Sequence, residues 1–291
     1  MGPMTAAEPT TAGWVTAETH LDRLRDVVAG HGRVAVAFSG GADSALVARV
    51  AHDVLGPGRA TAVTAVSPSL PAAELEHCAR LAADWGLRWH TVPTTELDDP
   101  AYVANGADRC AHCKTALMDA IGPVLEAAGA GTVALLGVNL DDLGDHRPGQ
   151  DVARARGAAF PLVAAGLTKA DVREVSRLLG LPTWDRPQAA CLASRIPHGT
   201  PVTVELLGRV ERVEAGLRAL GFAQLRVRDH GDTARIEVDD HDLARALHAR
   251  HDIVGLCRAA GYAFAALDLE GFRSGKMQRT AHPATASGEG P

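Results

Sequence analysis

The stretch VAVAFSGGADSALVARVA, Val34 to Ala51, decides the fold. An apolar run breaks into Ser-Gly-Gly-Ala-Asp-Ser and then resumes with a helical rhythm. A buried strand ending in small, flexible, polar residues brings backbone close to a ligand, because glycine carries no Cβ. The amides of a strand-to-helix turn, with a helix N-terminus behind them, suit an anion.

Outward from that turn, strand-like and helix-like segments alternate. Strands are expected at Arg33–Phe38, Ala60–Val66, Leu87–Val92 and Thr132–Gly137. Helices are expected at Thr16–Ala29, Ala42–Val54, Ala72–Trp85, Ala111–Ala128 and Lys169–Leu179. Fully apolar strands in β-α-β-α order predict an α/β fold with a doubly wound, mainly parallel sheet. The pattern changes after the connector Leu179 to Ala190. A helix over Val202–Leu220, paired strands in QLRVRDHG and ARIEVDD, a helix over Asp240–Ala260 and a strand in YAFAALDLEG predict a smaller C-terminal α+β domain. The expected organisation is a flexible arm at 1–16, a nucleotide-binding domain at 17–182, a second domain at 183–278 and a disordered tail at 279–291.

Composition narrows the function. The formal net charge of −6 and the lack of a basic block disfavour nonspecific nucleic-acid binding. The first residues lack the pattern of a secretory signal, and no apolar run approaches the length of a membrane span. Five cysteines, an odd number, argue against a secreted disulfide framework and for a cytoplasmic setting. Basic residues are nearly all Arg; Lys114, Lys169 and Lys276 are the three lysines, so a lysine within a motif stands out.

Neither a Walker A loop nor a dinucleotide GxGxxG motif occurs. Ser39-Gly40-Gly41-Ala42-Asp43-Ser44 instead resembles the SGGxDS loop of the ATP pyrophosphatase (PP-loop) superfamily, which splits ATP into AMP and pyrophosphate by adenylating a substrate. In that reading Ser39, Gly40, Gly41 and Ser44 hold the leaving pyrophosphate, and Asp43 helps to hold Mg²⁺. The bland alternative is a Gly-rich turn without a ligand.

DRCAHCKTALM places Cys110 and Cys113 at the start of a helix, where a thiolate is favoured, and AACLASRIPHGT places Cys191 after the connector. A lone CxxC fits a redox pair, half a zinc site with His112 or a distant Cys, or chance. Cys78 and Cys257 fall in apolar helical patterns and read as inert core residues.

RCAHCK, GVNLDDLGDHRPG, WDRPQAACLASRIPHGT, RVRDHGDTARIEV and LDLEGFRSG follow the SGGADS loop in order, from about residue 20 to about 275. Together they resemble the LarE family, the ATP-dependent sulfur transferases that mature the nickel-pincer cofactor of lactate racemase. The resemblance implies a small-molecule substrate, pyridinium-3,5-biscarboxylic acid mononucleotide. Its carboxylates are adenylated with release of pyrophosphate, and sulfur then displaces AMP to leave thiocarboxylates. It implies a sulfur transferase or carbon–sulfur lyase, a homo-oligomer (hexameric in related enzymes), a sulfur donor and a nickel-insertion partner. Family members with one cysteine, matching Cys191, give up its sulfur. Members with three, matching Cys110, Cys113 and Cys191, hold a [4Fe-4S] cluster whose open iron carries sulfide. This chain has all three, which favours the cluster, with a sacrificial Cys191 as the alternative.

Arg226 and Arg228 are two apart on a strand and share a face; with Arg273 they are candidates for the substrate phosphate. Salt bridging within the domain is the alternative. Ser194 and Arg195, beside Cys191, are candidates to steer the carboxylate or AMP. Gly137, Asn139 and Asp142, with Asp141, Asp145 and Arg147, follow a strand whose end faces the ligand crevice of a doubly wound sheet, so Gly137, Asn139 and Asp142 join the ATP set; for two or more of the carboxylates a solvated loop charge is the alternative. Glu214 reads equally as a site residue or a solvated one, and Lys114 by default as a helix-surface lysine, with reach to a phosphate as the alternative. His198 and Lys276 depart from the residues usual in the family. The rival readings are a cluster-dependent tRNA thiolase, an amidotransferase or NAD synthetase, and a non-catalytic nucleotide sensor. The first lacks its basic surface here, the second leaves three cysteines without work, and pyrophosphate release would exclude the third.

Overall fold

The structure, a computed structural model, describes residues 11–143, 148–186 and 190–273. These form two compact units: one comprises the described residues up to 99 and from 110 to 190, the other residues 100–109 and those from 191 onward.

The first unit is built on a four-stranded, wholly parallel sheet. In chain order it runs α1 (Thr11–Ala29), β1 (Val34–Ala37), α2 (Ala42–Leu55), β2 (Ala60–Val66), α3 (Ala72–Asp84) and β3 (Trp89–Pro93). After α4 (Pro100–Val103), which belongs to the second unit, come α5 (Arg109–Ala128), β4 (Val133–Leu135), α6 (Pro148–Ala155), α7 (Pro161–Ala164) and α8 (Lys169–Leu178). Residues alternate across the strands. Val34 and Val36 point into one core with Leu21, Leu24 and Leu46, whereas Ala35 and Ala134 join Met118 and Ile121 in a core on the opposite face. Both sheet faces are therefore covered, as continuous apolar strands require.

Parallel pairing explains where a ligand can sit. From β1 the chain moves to β2 and β3 on one side, and β4 adds on the other. The turn after β1 and the loop after β4 thus flank the place where strand order reverses, which opens a crevice at their carboxyl ends. Sequence and structure agree closely from α2 to β3. The first helix begins at Thr11, ahead of the expected Thr16; residues 1–10 of the expected arm lie outside the described residues. The short α6 and α7 are additions to the expected elements. They have too few apolar positions to set a period, and β4 pins the segment between them through a parallel bridge from Leu135 to Ala159.

The second unit carries α9 (Val204–Ala219), β5 (Leu225–His230), β6 (Thr233–Val238), α10 (Leu243–His248), α11 (Arg250–Ala259) and β7 (Phe264–Leu267). β5 and β6 form an antiparallel hairpin around Gly231, whose φ is +69°, and β7 adds parallel to β6. α9 packs on β5 through a stripe of buried Leu207, Val210, Val213 and Leu217. The single helix expected over Asp240–Ala260 is broken: a 3₁₀ turn precedes α10, and Ala249 leaves the helical region at φ −83° and ψ 11°. Residues 100–109 join this unit through buried Asn105. Its amide nitrogen donates to Pro197 O (2.8 Å) and Thr200 O (2.9 Å), and its Oδ1 accepts from Arg109. Among the described residues no helix is long and apolar enough to cross a membrane.

Candidate functional site

The turn after β1 is held open by its own small residues. Gly40 adopts φ +69°, and a Cβ there would stand 2.9 Å from His77 Cδ2 and 3.1 Å from Cys78 Sγ. Glycine is therefore required on both conformational and steric grounds. Ser44, in the first turn of α2, closes the loop: its hydroxyl accepts from Ser39 N (3.2 Å), lies 3.1 Å from Ser39 Oγ and donates to Gly41 O (3.2 Å). Gly41 is the N-cap of α2, and among the described residues no side-chain cap bond forms there. A helix N-terminus of this kind suits an anion.

The loop after β4 comes to meet this turn. A Cβ on Gly137 would lie 2.7 Å from Ser44 N and 2.9 Å from Asp43 C, so only glycine lets the two backbones approach. Asn139, almost fully buried, donates from Nδ2 to Asp43 Oδ1 at 3.0 Å. Its Oδ1 accepts from the backbone amides of Asp141 (3.0 Å) and Asp142 (3.3 Å), while Asp142 Oδ2 accepts from Asn139 N. Lys169 Nζ pairs with the other oxygen, Asp43 Oδ2. The structure thus brings Ser39, Gly40, Gly41, Asp43, Ser44, Gly137, Asn139 and Asp142 into one corner and adds Lys169. The sequence signal for Lys169 is its rarity, as one of three lysines. Asp145 and Arg147 lie outside the described residues.

The far side of the turn is buttressed by Arg186, which donates to Gly40 O (3.1 Å) and pairs with Glu74 (2.8 Å). Burial, followed by the Arg186 charge, lowers the pKa of nearby His77, so its imidazole stays neutral to lower pH than usual. Carboxylate and hydroxyl oxygens in this corner are hard donors of the kind Mg²⁺ takes, so the residues fit that ion.

Cys110 and Cys113 lie three apart in the first turn of α5, on one face, Cys110 exposed and Cys113 half-buried. His112, between them, pairs through Nδ1 with Asp99 at 2.7 Å. Lys114 follows on the same helix, with its Cβ against Gly149 of α6. Cys191, exposed, precedes a 3₁₀ turn in the second unit. Among the described residues no three His, Cys, Asp or Glu side chains gather as a metal site. As a donor set, thiols with access to solvent suit an iron–sulfur cluster. Cys78 and Cys257 are buried, and burial pushes both thiols up to about 11, in keeping with inert core residues.

Around Cys191 the second unit concentrates buried charge. Arg195 donates from Nη1 to Cys191 O (2.9 Å) and to Ser194 Oγ (3.1 Å), and from Nε to Glu214 Oε1 (2.9 Å). Glu214 is fully buried on α9 and also accepts from Arg218 (3.0 Å) and Val227 N (3.1 Å). It is therefore no solvated residue but the centre of a network. Burial pushes its carboxyl up, yet Arg195, Arg218 and the Val227 amide outweigh burial and leave its pKa below the usual glutamate value. Arg228 donates to Glu237 (3.0 and 3.1 Å) and to Ser194 O (3.0 Å). Arg226 stacks over Phe272, and burial first, then the Arg195 charge, lowers its guanidinium to about 10. Such a crowd of guanidinium groups favours an anion. Arg273, more exposed, reaches Asp240 at 3.3 Å. His198 Nδ1 lies 3.2 Å from Asn105 O, and Lys276 lies outside the described residues. Sequence reasoning misses the Asn105–Arg109 anchor beneath residues 193–200; Asn105, with φ 58°, gives no signal beyond the Asn-Gly pair it opens.

The chain is similar to one family model and to several known proteins. Residues 17–112 match the NAD synthase family. The chain is 44% identical over 265 residues to an uncharacterised protein of Synechocystis sp., covering 90% of this chain and 98% of that one. It is 35% identical over 249 residues to the pyridinium-3,5-bisthiocarboxylic acid mononucleotide synthase of Lactiplantibacillus plantarum, covering 85% and 90% of the two chains. An uncharacterised protein of Methanocaldococcus jannaschii is 24% identical over 242 residues, covering 83% and 91%.

Proposed function

This chain belongs to the LarE family of PP-loop enzymes, and we propose that it is an ATP-dependent sulfur transferase acting on pyridinium-3,5-biscarboxylic acid mononucleotide. The observation that carries the reading is the Ser39–Ser44 loop at the carboxyl end of β1, with Asp43 presented between Asn139 and Lys169. A substrate carboxylate oxygen attacks the α-phosphorus of ATP, and pyrophosphate leaves. Sulfur then attacks the acyl carbon of the adenylate and displaces AMP, giving a thiocarboxylate. Two rounds give the bisthiocarboxylate, the ligand for nickel.

In this reading the amides of Gly40 and Gly41 and the hydroxyls of Ser39 and Ser44 receive the pyrophosphate, while Gly137, Asn139 and Asp142 shape the ATP crevice. Asp43 helps to hold Mg²⁺, which when bound offsets charge on the departing phosphates. Arg226, Arg228 and Arg273 receive the substrate phosphate. Ser194 and Arg195 steer the activated carboxylate beside Cys191. Cys110, Cys113 and Cys191 are the residues that would hold a [4Fe-4S] cluster, which when bound would supply the sulfur as sulfide. The first of two domains (17–182) serves ATP and the second (183–278) the substrate, in a cytoplasmic homo-oligomer.

The test is anaerobic reconstitution of the wild type and of Cys110→Ala, with iron and sulfide assays. About four irons per chain and a broad band near 400 nm, lost in the variant, support the cluster. Iron in neither protein, with a loss of about 34 Da at Cys191 after ATP and substrate, would point to sacrificial sulfur instead. ATP turnover without pyrophosphate release would sink the adenylation reading altogether.

A further inference from the structure

In the phosphate corner, both oxygens of Asp43 already have donors: Asn139 Nδ2 at 3.0 Å on Oδ1, and Lys169 Nζ on Oδ2. The lysine is aimed there by its own helix end. Thr168 caps α8 in a reciprocal box with Asp171, and the Lys169 backbone amide donates to Asp141 Oδ2 at 2.8 Å. The ion pair is sheltered, with side-chain exposures of 34% for Lys169 and 21% for Asp43. A lone carboxylate is a weak ligand for Mg²⁺, which keeps most of its waters unless phosphates help to bind it. An ammonium already on that carboxylate weakens it further, because a second cation there meets a like charge at short range.

We propose that Lys169 is a stand-in cation for Asp43. It neutralises the carboxylate while no nucleotide is present and keeps the loop from taking a free divalent ion, so that the metal is held only together with a triphosphate. The phosphates bring enough negative charge to draw the ammonium off Asp43. Lys169 is thus a positioning residue that makes metal and nucleotide uptake interdependent. This inference rests on the reading of Asp43 as a metal ligand.

The probe is Mn²⁺, followed by the loss of its free paramagnetic resonance signal on the full-length, nucleotide-free chain. Wild type and Lys169→Arg should leave Mn²⁺ free. Lys169→Met and Lys169→Gln should bind it about tenfold more tightly, the share of the Coulomb repulsion that survives solvent screening. The gain should vanish when Asp43→Asn is added. With a non-hydrolysable ATP analogue, and unbound nucleotide removed by gel filtration, wild type should retain Mn²⁺ on the protein as well as Lys169→Met does. Tight Mn²⁺ binding by nucleotide-free wild type, or no gain in either neutral variant, overturns the inference. If Asp43→Asn alone leaves Mn²⁺–nucleotide binding unchanged, Asp43 is no metal ligand and the underlying reading falls with it.

Discussion

Glu214 shows most sharply how single residues shape this protein. Four N–H donors from Arg195, Arg218 and Val227 meet a carboxylate with no solvent exposure, and Arg195, which supplies two of them, is itself only 1% exposed. Removing one partner of such a network strands a buried charge, so Glu214→Ala should cost about 3 to 5 kcal/mol, and Glu214→Gln less because its amide oxygen still accepts. Urea denaturation of the three proteins checks this; a loss below about 1 kcal/mol in Glu214→Ala would show that the network is dispensable. The pH dependence has a definite sign. The folded-state pKa of Glu214 lies below its ordinary value of 4.5, so its contribution is complete above that value and is lost as pH falls through the folded pKa. Acid denaturation from pH 7 downward should therefore be steeper below about 4.5 in wild type than in Glu214→Gln. Parallel stability curves for the two proteins would contradict the assignment.

Among the elements, the join between the β4 loop and α2 is the most demanding. At Gly137 an added Cβ would meet backbone atoms of Asp43 and Ser44, which cannot swing aside as a side-chain tip can. Gly137→Ala should displace the phosphate turn, cost on the order of 1 to 3 kcal/mol and depress pyrophosphate release more than stability alone explains. Calorimetry with pyrophosphate checks this; unaltered affinity would mean that the turn absorbs the methyl group. The start of α8 is simpler. Thr168 accepts from Asp171 N while the Asp171 carboxylate accepts from Thr168 N, so Thr168→Ala should cost about 1 kcal/mol in thermal unfolding. It should also loosen the aim of Lys169, the next residue, onto Asp43.

For the whole molecule, binding and charge give two expectations. If ATP with Mg²⁺ binds the parallel-sheet unit, about a hundredfold excess over Kd adds about 2.7 kcal/mol to its stability. That corresponds to a rise of about 5 to 10 °C in its melting temperature. Scanning calorimetry should show the rise in wild type and a much smaller one in Asp43→Asn; no shift in wild type would count against ATP as a ligand. The net charge of −6 disfavours nonspecific attraction of a polyanion. At about 0.15 M salt tRNA should cause no gel shift, whereas a saturable shift would revive the tRNA thiolase alternative.

The sequence by itself determined the parallel sheet and the glycine turn after β1, because both rest on local rules. Apolar runs of strand length, a helical period after them and two glycines between leave few other ways to satisfy the backbone. It also singles out Cys110, Cys113 and Cys191, through a CxxC motif and the family resemblance that takes in all three. Motif order carried the family. Only the tertiary structure decided which polar residues meet. Lys169 reaches Asp43 across 126 positions of sequence, and Asn105 bonds to carbonyls more than 90 residues away. Glu214, one charged helix residue among many in the sequence, is buried because α9 turns that face to β5 and to the 3₁₀ turn after Cys191, which bring the Val227 amide and Arg195 to it. Local periodicity specifies an element and its buried face. Which distant side chain completes a charge is settled only when the packed core brings the elements together, since an unpaired charge could not be buried at all.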